Sequence, residues 1–140
     1  MTSVTDASAA LSGAVRLTEA DPAIGDWLAA AGAASFELSA PDAVGPLALA
    51  ALAGRVDAPI LAVTSTGREA EDLAAALTCL LPAEAVALFP SWETLPHERL
   101  SPRSDTVGRR LAVLRRLAHP SAEDATVGPL SVVVAPIRAV

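Results

Sequence analysis

The chain contains no lysine, and all ten of its basic residues are arginine. A P-loop needs the lysine that follows its glycines to reach the β and γ phosphates, a task for which arginine is no substitute. The absence argues against a P-loop ATPase within these 140 residues. A single cysteine, Cys79, excludes a disulfide within the chain. Long hydrophobic runs are missing too, because Gly, Pro and Arg break the Ala/Leu stretches before they reach the roughly 18 residues of a membrane span. The opening MTSVTDASAALSGAV has no basic region ahead of its weakly apolar run, which makes it a poor secretory signal. The expected setting is cytoplasmic, with no membrane contact. A net charge of -6 is the wrong sign for general nucleic-acid binding, which draws its affinity from neutralising phosphates, and leaves only a local basic stripe as an exception.

What is present fits a modest folded domain. Hydrophobic residues make up 52% of the chain, which argues against disorder, although much of that is alanine. Asp21-Pro22 is a helix start, with a capping side chain and Pro at the first helical position, and predicts a helix over 22–31 ended by Gly32. A short strand is expected at 35–38, a turn at 41–46, and a helix over 47–53 closed by Gly54. The run 60–63 after Pro59 reads as a strand covered on both faces. Thr66 and Glu69 have the spacing of a capping box and open a helix whose Ala70, Leu73, Ala74, Leu77, Leu80 and Leu81 share a face, ended by Pro82. Strands are also expected at 85–89 and 130–135. Strands separated by helices of this length form parallel sheets with right-handed crossovers. The predicted fold class is therefore α/β, an open and mostly parallel sheet with flanking helices. Residues 1–34 form an Ala-rich segment, helical or partly disordered, and residues 35–140 an incomplete α/β domain. The chain stops five residues after the last strand, so the sheet is expected to be truncated there, with an unpaired edge and an uncovered apolar face on that strand.

The segment from Pro90 to Pro102 holds three prolines, Trp92 and alternating charges, too long for an ordinary connection and too rich in Pro for helix or strand. Trp92 reads first as loop packing and second as a binding anchor. Glu93, His97, Glu98 and Asp105 fit no ligand spacing such as H-E-x-x-H, and no metal site is expected. Ser104 or Asp105 is placed to cap the next helix, whose apolar face runs Val107, Leu111, Leu114, Leu117 and Ala118. Arg109, Arg110, Arg115 and Arg116 fall mainly on its other faces. They read as a solvated surface, with Arg115 and Arg116 favoured by the helix C-terminal dipole, ahead of a grip on phosphate or an acidic partner.

The run FPSWETLPHERLSPRSDTVGRRLAVLRRL, with ILAVTSTGREAEDLAAAL before it and VVVAPIRAV after it, resembles the N-terminal region of the bacterial transcription-repair coupling factor in its actinobacterial form. The similarity spans roughly residues 35 to 140. It implies a UvrB-like module with a degenerate RecA-like fold that has lost nucleotide binding. Where a P-loop would follow the first strand, this chain reads SAPDAVGPLALAAL, with one Gly and no Lys. The aromatic hairpin by which UvrB grips DNA has no counterpart, because SPRSDT passes directly into the Arg-rich helix. In the full-length family the resemblance implies an ATP-hydrolysing, DNA-dependent translocase with ATP and Mg in its motor domains, and RNA polymerase, UvrA and double-stranded DNA as partners. For this segment it implies no cofactor, no catalytic residue and mainly intramolecular contacts. Trp92, Glu93, Leu95, Pro96, His97 and Arg99 match the family signature, and with Arg109 and Arg110 they are the interaction candidates.

A second reading stays open on the residues themselves. Ligands in open parallel sheets collect at the carboxyl ends of strands, where Thr64, Ser65, Thr66, Ser91 and Thr94 lie. A small stand-alone α/β enzyme or anion-binding domain would use these loops, with the helix start at Thr66-Gly67 as the anion site. Against it, the chain has no G-x-S-x-G, and neither histidine has an evident catalytic partner.

Overall fold

The computed structural model describes residues 4–31, 37–92, 103–121 and 128–140, with side chains described from residue 11 onward. Helix α1 spans Val4–Glu19 and α2 spans Pro22–Ala30. The Asp21 carboxylate caps α2 by accepting from the backbone N–H groups of Ala23 and Ile24, and Pro22 sits in its first turn. Helix α3 (Val44–Ala53) begins three residues before the expected start and is closed by Gly54, whose N–H donates to the Ala50 carbonyl at 3.3 Å. Strand β1 (Ile60–Thr64), helix α4 (Gly67–Leu80), strand β2 (Val86–Leu88), helix α5 (Ser104–Ala118) and strand β3 (Val132–Pro136) follow, with a 3-10 turn before β2 and another after β3.

The three strands form a parallel sheet in the order β1-β3-β2. Residues 35 and 36 of the strand expected at 35–38 lie outside the described residues, and Glu37 and Leu38 are not strand. Leu38 instead packs with Ile24, Leu28 and Ala51 in a small core between α2 and α3. A further difference concerns β3. The last strand in sequence is the central one, paired on both sides, and all five of its residues are buried. Among the described residues the edge strands are β1 and β2.

Alternation along the strands divides the core in two. Ala62, Val86, Val132 and Val134 face Ala50, Ala70 and Leu77 of α3 and α4 in the main core. The face of α4 read from the sequence is the one that packs: Ala70 and Leu77 are fully buried, and Leu73, Ala74, Leu80 and Leu81 lie against the same core. Helix α1 packs on α3 and α4. On the opposite face of the sheet, Ala87 and Val133 meet Val113 of α5, with Leu130 and Phe89 beside them. That second layer reaches only part of the sheet. Strand β1 is covered on one face instead of two, leaving Leu61 and Val63 exposed.

Helix α5 also turns differently from the sequence pattern. Its buried residues are Thr106 and Val113, whereas Leu111, Leu114 and Leu117 are exposed. Its N-cap is Arg103, with no side-chain cap bond, and Ser104 and Asp105 lie inside the first turn, where Asp105 complements the helix dipole. Burial of a polar and a small apolar side chain in place of three leucines follows from what holds this helix, described next.

Candidate functional site

At the carboxyl end of β1 the chain turns through Ser65 into α4. Thr66 accepts from the Glu69 N–H at 3.2 Å, and the Glu69 carboxylate accepts from the Ser65 N–H at 3.1 Å, a reciprocal cap that places a carboxylate at the helix start. Beside it lies a cleft of about 690 Å³ between α3 and α4, lined by apolar Leu38, Pro46, Leu49 and Leu73 and by the carboxylates of Asp42, Glu69 and Asp72. Arg68 is drawn toward Asp72, at 3.9 Å on an open surface. Three carboxylates in the lining make the cleft unfavourable to phosphate. Of the two loops open to an anion-binding reading, the one after β1 is thus acidic, and most of the one after β2 lies outside the described residues.

The carboxyl end of β2 is organised around Arg110. The Phe89 N–H donates to the Val134 carbonyl at 2.8 Å, extending the sheet by one bond beyond β2 and fixing the start of the loop. The Arg110 guanidinium lies 3.9 Å from the Phe89 ring centroid and 4.4 Å from that of Trp92. Its Nη1 donates to the Pro90 carbonyl at 2.6 Å and its Nη2 to the Ala139 carbonyl at 3.3 Å. One side chain thus joins α5, the loop after β2 and the turn after β3. Desolvation lowers the Arg110 pKa below its ordinary value, yet arginine stays charged at neutral pH, so the fork remains intact. Arg116 acts likewise at the other end of α5, donating through Nε to the Gly128 carbonyl at 2.9 Å and through Nη2 to the Glu84 carbonyl. Both arginines place rigid donor forks on backbone carbonyls.

Of the residues singled out in the sequence, Trp92 and Arg110 come together in this cluster, and Trp92 remains 41% exposed, so its ring both packs and faces solvent. Arg109 is exposed and lines a shallow groove with Ser104 and Asp105. Glu93, Leu95, Pro96, His97 and Arg99 lie outside the described residues, as do Glu98 and Thr94. Arg110 and Arg116 were expected on solvated faces and instead turn inward, while Arg109 and Arg115 are exposed. Sequence reasoning missed Phe89 as a partner. The available signal was the register Thr106, Arg110, Val113, which places the arginine on the same helix face as the buried pair. Among the described residues no group of His, Cys, Asp and Glu is placed to hold a metal ion, and no helix is long and apolar enough to cross a membrane.

No protein-family model matches the chain. Two curated proteins do, the transcription-repair-coupling factors of Mycobacterium bovis and Mycobacterium tuberculosis, each 51% identical over 131 residues. The chain is homologous to a segment of the transcription-repair-coupling factor. The match takes in 91% of this chain and 10% of each mycobacterial coupling factor, so the chain spans about a tenth of the length of these relatives.

Proposed function

We propose that this chain is a non-catalytic scaffolding and interaction segment of a transcription-repair coupling factor, a DNA-dependent, ATP-hydrolysing translocase that displaces stalled RNA polymerase and recruits nucleotide excision repair proteins. The observation that carries the reading is the 51% identity across 91% of the chain to proteins of that name. The non-catalytic assignment draws on the chemistry of the β1 loop, where Glu69 occupies the helix start and Asp42 and Asp72 face the cleft.

In this reading the module is UvrB-like, with a RecA-like sheet that no longer binds nucleotide, and it is N-terminal in the parent. ATP and Mg act in motor domains elsewhere in the parent, and RNA polymerase, UvrA and double-stranded DNA are partners of the whole protein. The signature residues Trp92, Glu93, Leu95, Pro96, His97 and Arg99 are interaction positions, with Arg109 on the exposed side of α5. Arg110 contributes by holding Trp92 in place.

The test has two arms. Titrating the 140-residue chain with ATP and Mg, or with inorganic phosphate, is expected to leave the amide resonances of Gly67 to Glu69 unmoved. Deleting the segment from a coupling factor is expected to leave DNA-dependent ATP hydrolysis measurable while altering polymerase displacement or UvrA recruitment. Saturable shifts at Gly67, or hydrolysis lost from a motor that is still folded, would overturn the non-catalytic assignment.

A further inference from the structure

Two helix stripes build the cleft between α3 and α4. Asp42, Gly45, Pro46 and Leu49 have the i, i+3, i+4, i+7 spacing that continues one face of α3, and Glu69, Asp72 and Leu73 have the i, i+3, i+4 spacing of one face of α4. The turn ahead of α3 fixes Asp42, since the Pro41 carbonyl accepts from the Val44 N–H at 2.9 Å and the Asp42 carbonyl from the Gly45 N–H at 3.2 Å. Burial sorts the lining into two zones. Leu38, Pro46, Leu49 and Leu73 are half-buried and form an apolar floor, whereas Asp42, Glu69 and Asp72 are exposed and form a rim with carboxylates on both walls.

The rim carries one sign of charge. Among the described lining residues there is no arginine or histidine to offset the three carboxylates. Arg68 stands 3.9 Å from Asp72 with its side chain 90% exposed, and a pair so open to water is weakly held and readily exchanged. An anion is disfavoured here by Coulomb repulsion, which removes phosphates, nucleic acid and acidic peptides as occupants. A bare metal ion gains nothing from an apolar floor. The complementary ligand is cationic at its ends and apolar along its body, as a peptide with arginine or lysine beside leucine-like side chains is.

We infer that this cleft docks a basic, apolar peptide segment of a partner protein, with its apolar side chains on Leu49 and Leu73 and its cationic heads at Asp42 and Asp72. The volume of about 690 Å³ is that of a site which encloses several side chains. Its place agrees, because Thr64 at the carboxyl end of β1 belongs to the lining, and ligands of open parallel sheets collect at such ends. This goes beyond the reading as a coupling-factor segment and does not depend on it, so either can fail alone.

The test is a titration of the 140-residue chain with the peptide Arg-Leu-Arg-Leu-Arg, followed by amide and methyl resonances. Saturable shifts are expected at Gly45, Leu49, Thr64 and Leu73, with a Kd below about 1 mM that weakens several-fold when salt of about 1 M cuts the screening length to about 3 Å. Peptides with Glu in place of Arg, or Ser in place of Leu, are expected to bind at least several-fold more weakly. Asp42→Lys combined with Asp72→Lys reverses two exposed charges and should abolish the shifts. A Cβ built on Gly45 meets no heavy atom within 4 Å, so Gly45→Leu fills the cleft without a clash and should block binding while leaving the Tm unchanged or raised. Absence of saturable binding overturns the inference, as do equal affinity for the Ser peptide and binding that survives both variants. Spermidine binding as tightly as the peptide assigns the cleft to a small polyamine and overturns it too. So does a dimer of the chain alone, seen by sedimentation and dissolved by the double reversal, which makes the occupant a second copy.

Discussion

The two faces of the sheet share the same three strands and are closed by different chemistry. On one, α3 and α4 close over Val132 and Val134 with alanines and leucines, and Ala70 and Leu77 are fully buried. On the other, α5 touches the strands through Val113 and is held at its middle by Arg110 and in its last turn by Arg116, both on backbone carbonyls. The first face gains stability from removed apolar area and close packing. The second relies on a few directional bonds with neutral acceptors, which fix where a helix lies while leaving most of its leucines free. An apolar face defines a core, and an arginine-pinned face defines a position.

The largest change should come from breaking the packed face. Leu77→Ala removes a fully buried side chain at the centre of the main core and is expected to cost about 2–5 kcal/mol, read as a fall in the denaturant midpoint. Arg110→Met keeps much of the stem and removes the fork, leaving the Pro90 and Ala139 carbonyls without this donor, at an expected cost of about 1–3 kcal/mol. The same variant should free Trp92, seen as a shift in its fluorescence, and the cost should change little with salt because the acceptors are uncharged. Thr66→Ala deletes half of the reciprocal cap of α4 and is expected to cost about 1 kcal/mol. Smallest of all, Leu111→Gln should move the stability of this chain by no more than about 0.5 kcal/mol, since that leucine touches little here. A cost for Leu111→Gln approaching that of Leu77→Ala would erase the contrast between the faces.

Much of the packed face was legible in the sequence because its signals are local. The Thr66 and Glu69 spacing and the Asp21-Pro22 pair each satisfy backbone groups within a few residues, and the α4 stripe meets neighbours that the same chain provides. The parallel α/β class followed from element order. The α5 side was misread for a physical reason. Hydrophobic periodicity assumes that a helix is held by its apolar face, whereas α5 is held by Arg110 and Arg116 on backbone carbonyls and leaves Leu111, Leu114 and Leu117 exposed. The centrality of β3 was not legible either, because strand order depends on pairings remote in sequence. At the candidate site, the Pro-rich loop was recognised as unusual, but its anchor on Arg110 required knowing that Phe89 and α5 are neighbours in space.

The strand order also governs how this segment is made on the ribosome. Among the described residues strands β1 and β2 do not pair with each other, and each pairs with β3, the last of the three to be synthesised. The roughly 70 residues between Thr64 and Val132 take about 4–14 s to translate at roughly 5–20 residues per second. Throughout that interval the nascent chain carries two strands without a ladder and a main core without Val132 and Val134. Its helices have ample time to form before the keystone strand arrives, and a pause or slow codon near residue 130 would prolong the period in which holdase chaperones compete with folding for those open edges.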